Sequence, residues 1–168
     1  MSLSMYQASI PTFVRMLGNL SAILAKAATY AETKKIDPSV LLNARLAPDM
    51  RPLSFQIQTA SDVAKGCAAR LAGIDPPSFP DTESSFPEFQ TRIAKTIEFL
   101  NSVSAAQVDG SEERTVTLKM RTQEVQFQGQ AYLLSFALPN FYFHVTTAYA
   151  ILRHNGLDIG KGDFLGGR

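Results

Sequence analysis

Residues 131–152, AYLLSFALPNFYFHVTTAYAIL, carry no Asp, Glu, Lys or Arg. A run of about twenty such residues is long enough to span a bilayer. This one, however, holds Ser135, Pro139, Asn140, His144, Thr146 and Thr147, and no second span accompanies it. It is therefore read as the central, mostly buried helix of a soluble protein, running from Gly129 to about His154 and closing at Asn155-Gly156.

Working outward, Thr115–Met120 and 125–128 alternate polar with apolar residues around a short polar link at 121–124, which predicts a small β-hairpin at about 114–128. Ser85-Phe86-Pro87-Glu88 combines a capping box with proline in the first turn and starts a helix whose stripe is Phe89, Ile93, Ile97 and Leu100, ending near Asn101. Asp75 to Pro87 holds four prolines and is a surface loop. Leu53, Ile57, Ala60, Ala64, Ala68 and Leu71 mark a helix over roughly 50–72, with Asp49 placed to cap it and Gly73 to end it. Phe13, Leu17, Leu20, Leu24, Ala27 and Tyr30 mark a first helix over 5–32, in which Pro11 is either a kink or the first turn behind Ser9. Asp37-Pro38 opens a short helical turn through Asn43. The glycine-rich last twelve residues read as an extended tail. The expectation is an all-α, up-and-down four-helix bundle with one minor hairpin before the last long helix, as a single domain over 1–168.

Composition narrows the function. Among 168 residues, 45% are apolar and 18% charged, and sixteen basic against fifteen acidic residues leave a net charge of +1. No bulk field draws the chain to nucleic acid or an anionic membrane, so neither is an expected partner. One cysteine, Cys67, excludes an internal disulfide and a Cys-based zinc cage. Met1-Ser2-Leu3-Ser4-Met5 lacks a basic n-region, so no signal peptide is expected and a cytoplasmic location is.

The chemically loaded segment is Pro139–His144. Asn140 and His144, four residues apart, share a helix face with Leu133, Ala137, Ala148 and Ile151, so both should point inward. A histidine there is either a hydrogen-bonded core residue or part of a site. His154 cannot join it on a metal, because ten residues of helix leave the two side chains about 80° and about 15 Å apart. Gln58, Ser61, Asp62 and Lys65 on the second long helix are possible partners, although Asp62 and Gln58 lie away from the aliphatic stripe. Asp62 there points to solvent or an interface. Asp49 is a cap rather than a catalyst, and Cys67 a small buried hydrophobe. Gly156–Gly162 lacks the spacing of a phosphate loop.

The segments Leu138–Gly156, Arg45–Met50 and Lys161–Gly166 together resemble the signature of an uncharacterised bacterial domain-of-unknown-function family in the DinB/YfiT-like superfamily of metalloenzymes. The resemblance implies a four-helix bundle, often dimeric. It also implies a divalent metal held by three histidines, one on helix two and an HxxxH pair on helix four. Thiol-dependent transferases, isomerases and hydrolases occur among the relatives. Here only His144 matches the pair, Asn140 stands in its first position, and helix two has no histidine. The three-His set is incomplete, and any metal would fall to His144 with Asn140. Three functions are open to such a chain. The favoured one is a metal-free small-molecule pocket with Asn140, His144, Thr147, Gln58 and Asp62 as candidate ligand-binding residues. The others are a metal- or thiol-dependent transferase or hydrolase, and a dimeric interaction module. A homodimer is expected, with Phe55 and Thr59 beside Asp62 on its face.

Overall fold

The computed structural model describes residues 3–119 and 122–167. Helix α1 spans Met5–Lys34, α2 Pro38–Leu42, α3 Leu53–Ala72, α4 Phe86–Ser102 and α5 Ala105–Val108. Strands β1 (Thr115–Lys119) and β2 (Glu124–Gln128) follow, then α6 (Gly129–Tyr132), a π-helical turn (Leu133–Ala137), α7 (Leu138–His154) and α8 (Lys161–Leu165). The fold is mostly helical, with one small antiparallel hairpin. Helix α3 packs most extensively on α7 and also on α4, while α1 lies against α4 and α7. The core fills the space between them. Phe13 of α1 meets Phe141 of α7 edge-to-face, with ring centroids 4.9 Å apart, a geometry that aromatic quadrupoles favour.

Local chemistry accounts for most boundaries. Ser85 and Glu88 form the expected capping box at the start of α4, and Gly73 ends α3 at φ 70°. The hairpin pairs Thr115 with Gln128 through Lys119 with Glu124, and Val116 and Leu118 turn inward. Met120 and Arg121, expected at the end of the first strand and in the turn, lie outside the described residues.

Other boundaries differ from expectation. Helix α1 begins at a capping box on Ser4 and Gln7, so Pro11 lies inside the helix and Ser9 is not a cap. The Ser9 hydroxyl instead donates to the Met5 carbonyl at 2.6 Å. Helix α3 starts at Leu53 behind Pro52, with no side-chain cap, so Asp49 does not cap it. The run from Gly129 to His154 is not one α-helix. Pro139 has no N–H to give the Ser135 carbonyl, and its ring crowds that carbonyl. The backbone widens into a π turn just before it, where the Leu138 N–H reaches Leu133 O.

The glycine-rich end is not extended either. Helix α8 folds back on α1, tied by Asn19 to the Phe164 carbonyl (2.9 Å) and by Lys26 to Asp163 (2.5 Å). Helix α1 is long and apolar enough by composition to cross a membrane, and 44% of its most apolar window is buried in the fold.

Candidate functional site

His144 projects from α7 toward α3, half-buried, and meets Gln56 with Nδ1···Oε1 at 2.7 Å. Gln56 is buried at 2% exposure. Its amide is oriented from the other end, because Nε2 donates to the Arg51 carbonyl at 2.9 Å. With Nε2 so engaged, Oε1 faces the imidazole and accepts only, so His144 Nδ1 carries the proton. Nε2 of His144 is then a lone-pair acceptor with no partner among the described residues. Burial holds the ring's pKa below its ordinary value of 6.5. The imidazole is therefore neutral at physiological pH.

Aromatic rings frame it. Phe143 lies edge-on at 5.3 Å between centroids and Phe55 at 6.2 Å, and the Arg51 guanidinium sits over Phe55 at 5.2 Å. Leu46, Phe55, Tyr142 and Phe143 are all exposed apolar side chains near this point. A shallow pocket of about 330 Å³ along the outer face of α7 is lined by Leu46, Tyr142, Phe143, Thr146, Thr147 and Ala150.

The expected site residues divide into two places. Asn140 is half-buried one turn before His144 on α7, and its side chain makes no hydrogen bond among the described residues. Thr147 is buried, and its hydroxyl proton goes to the Phe143 carbonyl at 2.7 Å. Gln58 and Asp62 do not join them. Gln56 to Gln58 is a rotation of about 200° on a helix, and Gln56 to Asp62 about 240°, so both turn toward α4. Gln58 donates to Glu83 at 3.0 Å. Asp62 pairs with Arg92 and Lys65, each at 2.8 Å. Ser61 shares a buried hydrogen bond with Thr96 at 2.7 Å.

This second cluster centres on Arg92, whose side chain is 1% exposed and also reaches Asp81 and Glu83 at 2.9 Å and the Pro80 carbonyl. Burial pushes Glu83 up, but the Gln58 amide and the Arg92 guanidinium outweigh it and leave the carboxyl below its usual range. The arrangement is a staple that binds the proline-rich loop to α3 and α4.

Gln56 is the residue the sequence reading passed over. It sits among Leu53, Ile57 and Ala60 in the α3 stripe, and a polar side chain interrupting an apolar stripe was the available signal.

Residues 5–165 match the family model of a domain of unknown function, DUF1993. The chain belongs to that family. The DUF1993 chain is also similar to the crystal structure of a DinB family member protein from Shewanella denitrificans. The two are 40% identical, with a TM-score of 0.87 over 97% of this chain and 92% of that one. No curated protein matches the DUF1993 chain.

The superfamily resemblance implies a divalent metal held by three histidines. Where a histidine on α3 would face His144 of α7, this chain has Gln56. The donors around His144 are thus one imidazole and the amides of Gln56 and Asn140. No group of three or more His, Cys, Asp or Glu side chains converges among the described residues. Amide oxygens are weak ligands for zinc or nickel, so this set does not fit such an ion. Nor is a thiolate at hand, since burial pushes the Cys67 thiol far above its usual range.

Proposed function

We propose that this DUF1993 protein is a metal-independent, small-molecule-binding member of the DinB-like group, with its four long helices arranged as an up-and-down bundle and its site built around His144. One observation carries the reading. Gln56, aimed by the Arg51 carbonyl, holds Nδ1–H of His144 and leaves Nε2 as a fixed, neutral acceptor beside Phe55 and Phe143. Such an imidazole accepts a hydrogen bond, or a proton, from a ligand group laid against the aromatic rings. Asn140 supplies a nearby amide without a hydrogen-bond partner among the described residues, and Thr147 part of the adjacent wall. Near-balanced charge supports a ligand other than nucleic acid or membrane.

The exposed side chains Leu46, Phe55, Tyr142 and Phe143 favour a second reading in which this face also joins two copies as a homodimer. Light scattering at micromolar concentration reads that directly.

The site itself is tested with untagged protein, by metal analysis together with nitrogen NMR of the His144 ring and a fragment screen. The expected result is a protonated Nδ1, no stoichiometric metal, and fragment-induced shifts centred on His144, Asn140 and Phe143. Stoichiometric zinc, nickel or iron that is lost in His144→Ala sinks the proposal in favour of the metalloenzyme.

A further inference from the structure

A separate recess of about 240 Å³ lies between α3, β1 and the start of the last helical run. It is lined by Val63, Arg70, Leu118, Lys119, Tyr132 and Phe136, with Asp62 at its edge. Its Arg70 end is well removed from His144, since Arg70 stands fourteen residues along α3 from Gln56, about 21 Å of helix rise.

Its charges are unequally satisfied. Asp62 is already held by Arg92 and Lys65, and Lys119 lies 3.8 Å from Glu124. Arg70 has no carboxylate within salt-bridge distance among the described residues. Its side chain donates from Nη1 to the Tyr132 hydroxyl at 3.3 Å. The Tyr132 oxygen accepts that bond, and its own proton meets no acceptor among the described residues. Burial also pushes the phenol up to about 12, which keeps that proton in place.

The seat of Arg70 is built into α3. Gly66 lies one turn earlier, buried in the helix interior, where glycine is disfavoured. A Cβ there would fall 2.5 Å from Arg70 Nη1. Glycine lets the guanidinium lie flat against the helix, facing Tyr132. The walls are apolar and aromatic, with Tyr132 and Phe136 stacked at 6.0 Å and an interplanar angle of 21°. The π turn sets this spacing, because Phe136 belongs to it.

From this geometry we infer that the recess is an anion site for a small aromatic acid, a single flat ring bearing a carboxylate or phosphate. The acid group takes the free N–H groups of Arg70 and the O–H of Tyr132, and the ring lies against Phe136 and Leu118. A guanidinium fork suits either anion. The volume, below that of drug-sized pockets, admits one ring.

The probes are benzoate and phenyl phosphate, titrated into nitrogen-15-labelled full chain at low salt and followed by amide shifts, with benzyl alcohol as the neutral control. The expected result is saturable shifts at Val63, Arg70, Tyr132 and Phe136 for one or both anions and none for the alcohol. Arg70→Gln should weaken binding about tenfold or more. Tyr132→Phe, which keeps the ring and the packing, should weaken it in the same direction and serves if Arg70→Gln does not fold. Benzyl alcohol binding as well as the anions, an affinity unchanged in Arg70→Gln or Tyr132→Phe, or shifts elsewhere on the molecule would overturn the assignment. Shifts gathered around His144 instead would support the proposed function and refute this one.

Discussion

Gln56 and His144, 88 residues apart in the chain, are joined at 2.7 Å across the α3–α7 interface. That contact turns two separately ambiguous side chains into one oriented unit. A glutamine in an apolar stripe is costly unless both ends of its amide are used, and here Arg51 and His144 use them. A histidine facing a helix interface has two tautomers, and the glutamine selects one.

Removing the amide should expose that dependence. In Gln56→Leu the Nδ1–H of His144 loses its acceptor at a half-buried site, and the Arg51 carbonyl loses its donor. The expected loss is about 2 kcal/mol in urea unfolding, with the imidazole redistributing between tautomers in nitrogen NMR. A variant as stable as the wild type, with its tautomer unchanged, would show that the pair does not hold the ring.

The pH dependence follows from the lowered pKa of His144. Unfolded chains protonate this group near 6.5, while the folded ring stays neutral to lower pH. Between those two values the unfolded state binds more protons, so stability falls as pH drops through that window and then levels for this group. An NMR titration of the ring should give a midpoint below 6.5. A midpoint at or above it would contradict the burial described for His144.

Glu83 adds a second, more acidic step. Its carboxyl is depressed in the folded state, so its stabilising effect is present above the unfolded value of 4.5 and lost as pH falls through the folded one. Arg92→Met removes the cation that joins Glu83, Asp81 and Asp62. The expected cost is about 3 kcal/mol, toward the low end for a broken buried pair because Asp62 and Asp81 remain partly in water. The acid step should shrink with it. Unchanged stability would mean that the loop 75–87 is held by something else.

Two glycines separate steric need from tolerance. A Cβ on Gly129 would lie 2.0 Å from the Ser111 carbonyl oxygen, which is backbone and cannot swing away. Gly129→Ala should cost about 3 kcal/mol. Gly18, inside α1, has nothing within 4 Å of its Cβ position, and Gly18→Ala should raise stability by about 1 kcal/mol through helix propensity. Thermal melts of the two variants shifting the same way would refute the contrast.

The long helices were legible because each carries its own instructions. The spacing of Leu53, Ile57, Ala60 and Ala64, the Ser85–Glu88 capping box and Gly73 act within a few residues, and period and cap chemistry need no distant partner. The hairpin was legible for the same reason, through alternation on both sides of a polar turn. Helix α8 was not: Lys161–Leu165 is held by Asn19 and Lys26 of α1, and glycine content near a terminus conveys nothing about a docking surface elsewhere. The π turn was half visible, since Pro139 was in plain sight but the backbone's response depends on how the surrounding helices pack.

The site shows the same division. That Asn140 and His144 share a face of α7 is a consequence of 3.6 residues per turn, and the sequence determined it alone. That Gln56 completes the pair, while Gln58 and Asp62 turn away to Arg92 and Glu83, was decided by the rotation of α3 between α4 and α7. Periodicity defines which residues of one helix point together. It does not define which neighbour they point at, because that choice belongs to the packing of whole helices, where burying the most apolar surface outweighs any single polar contact.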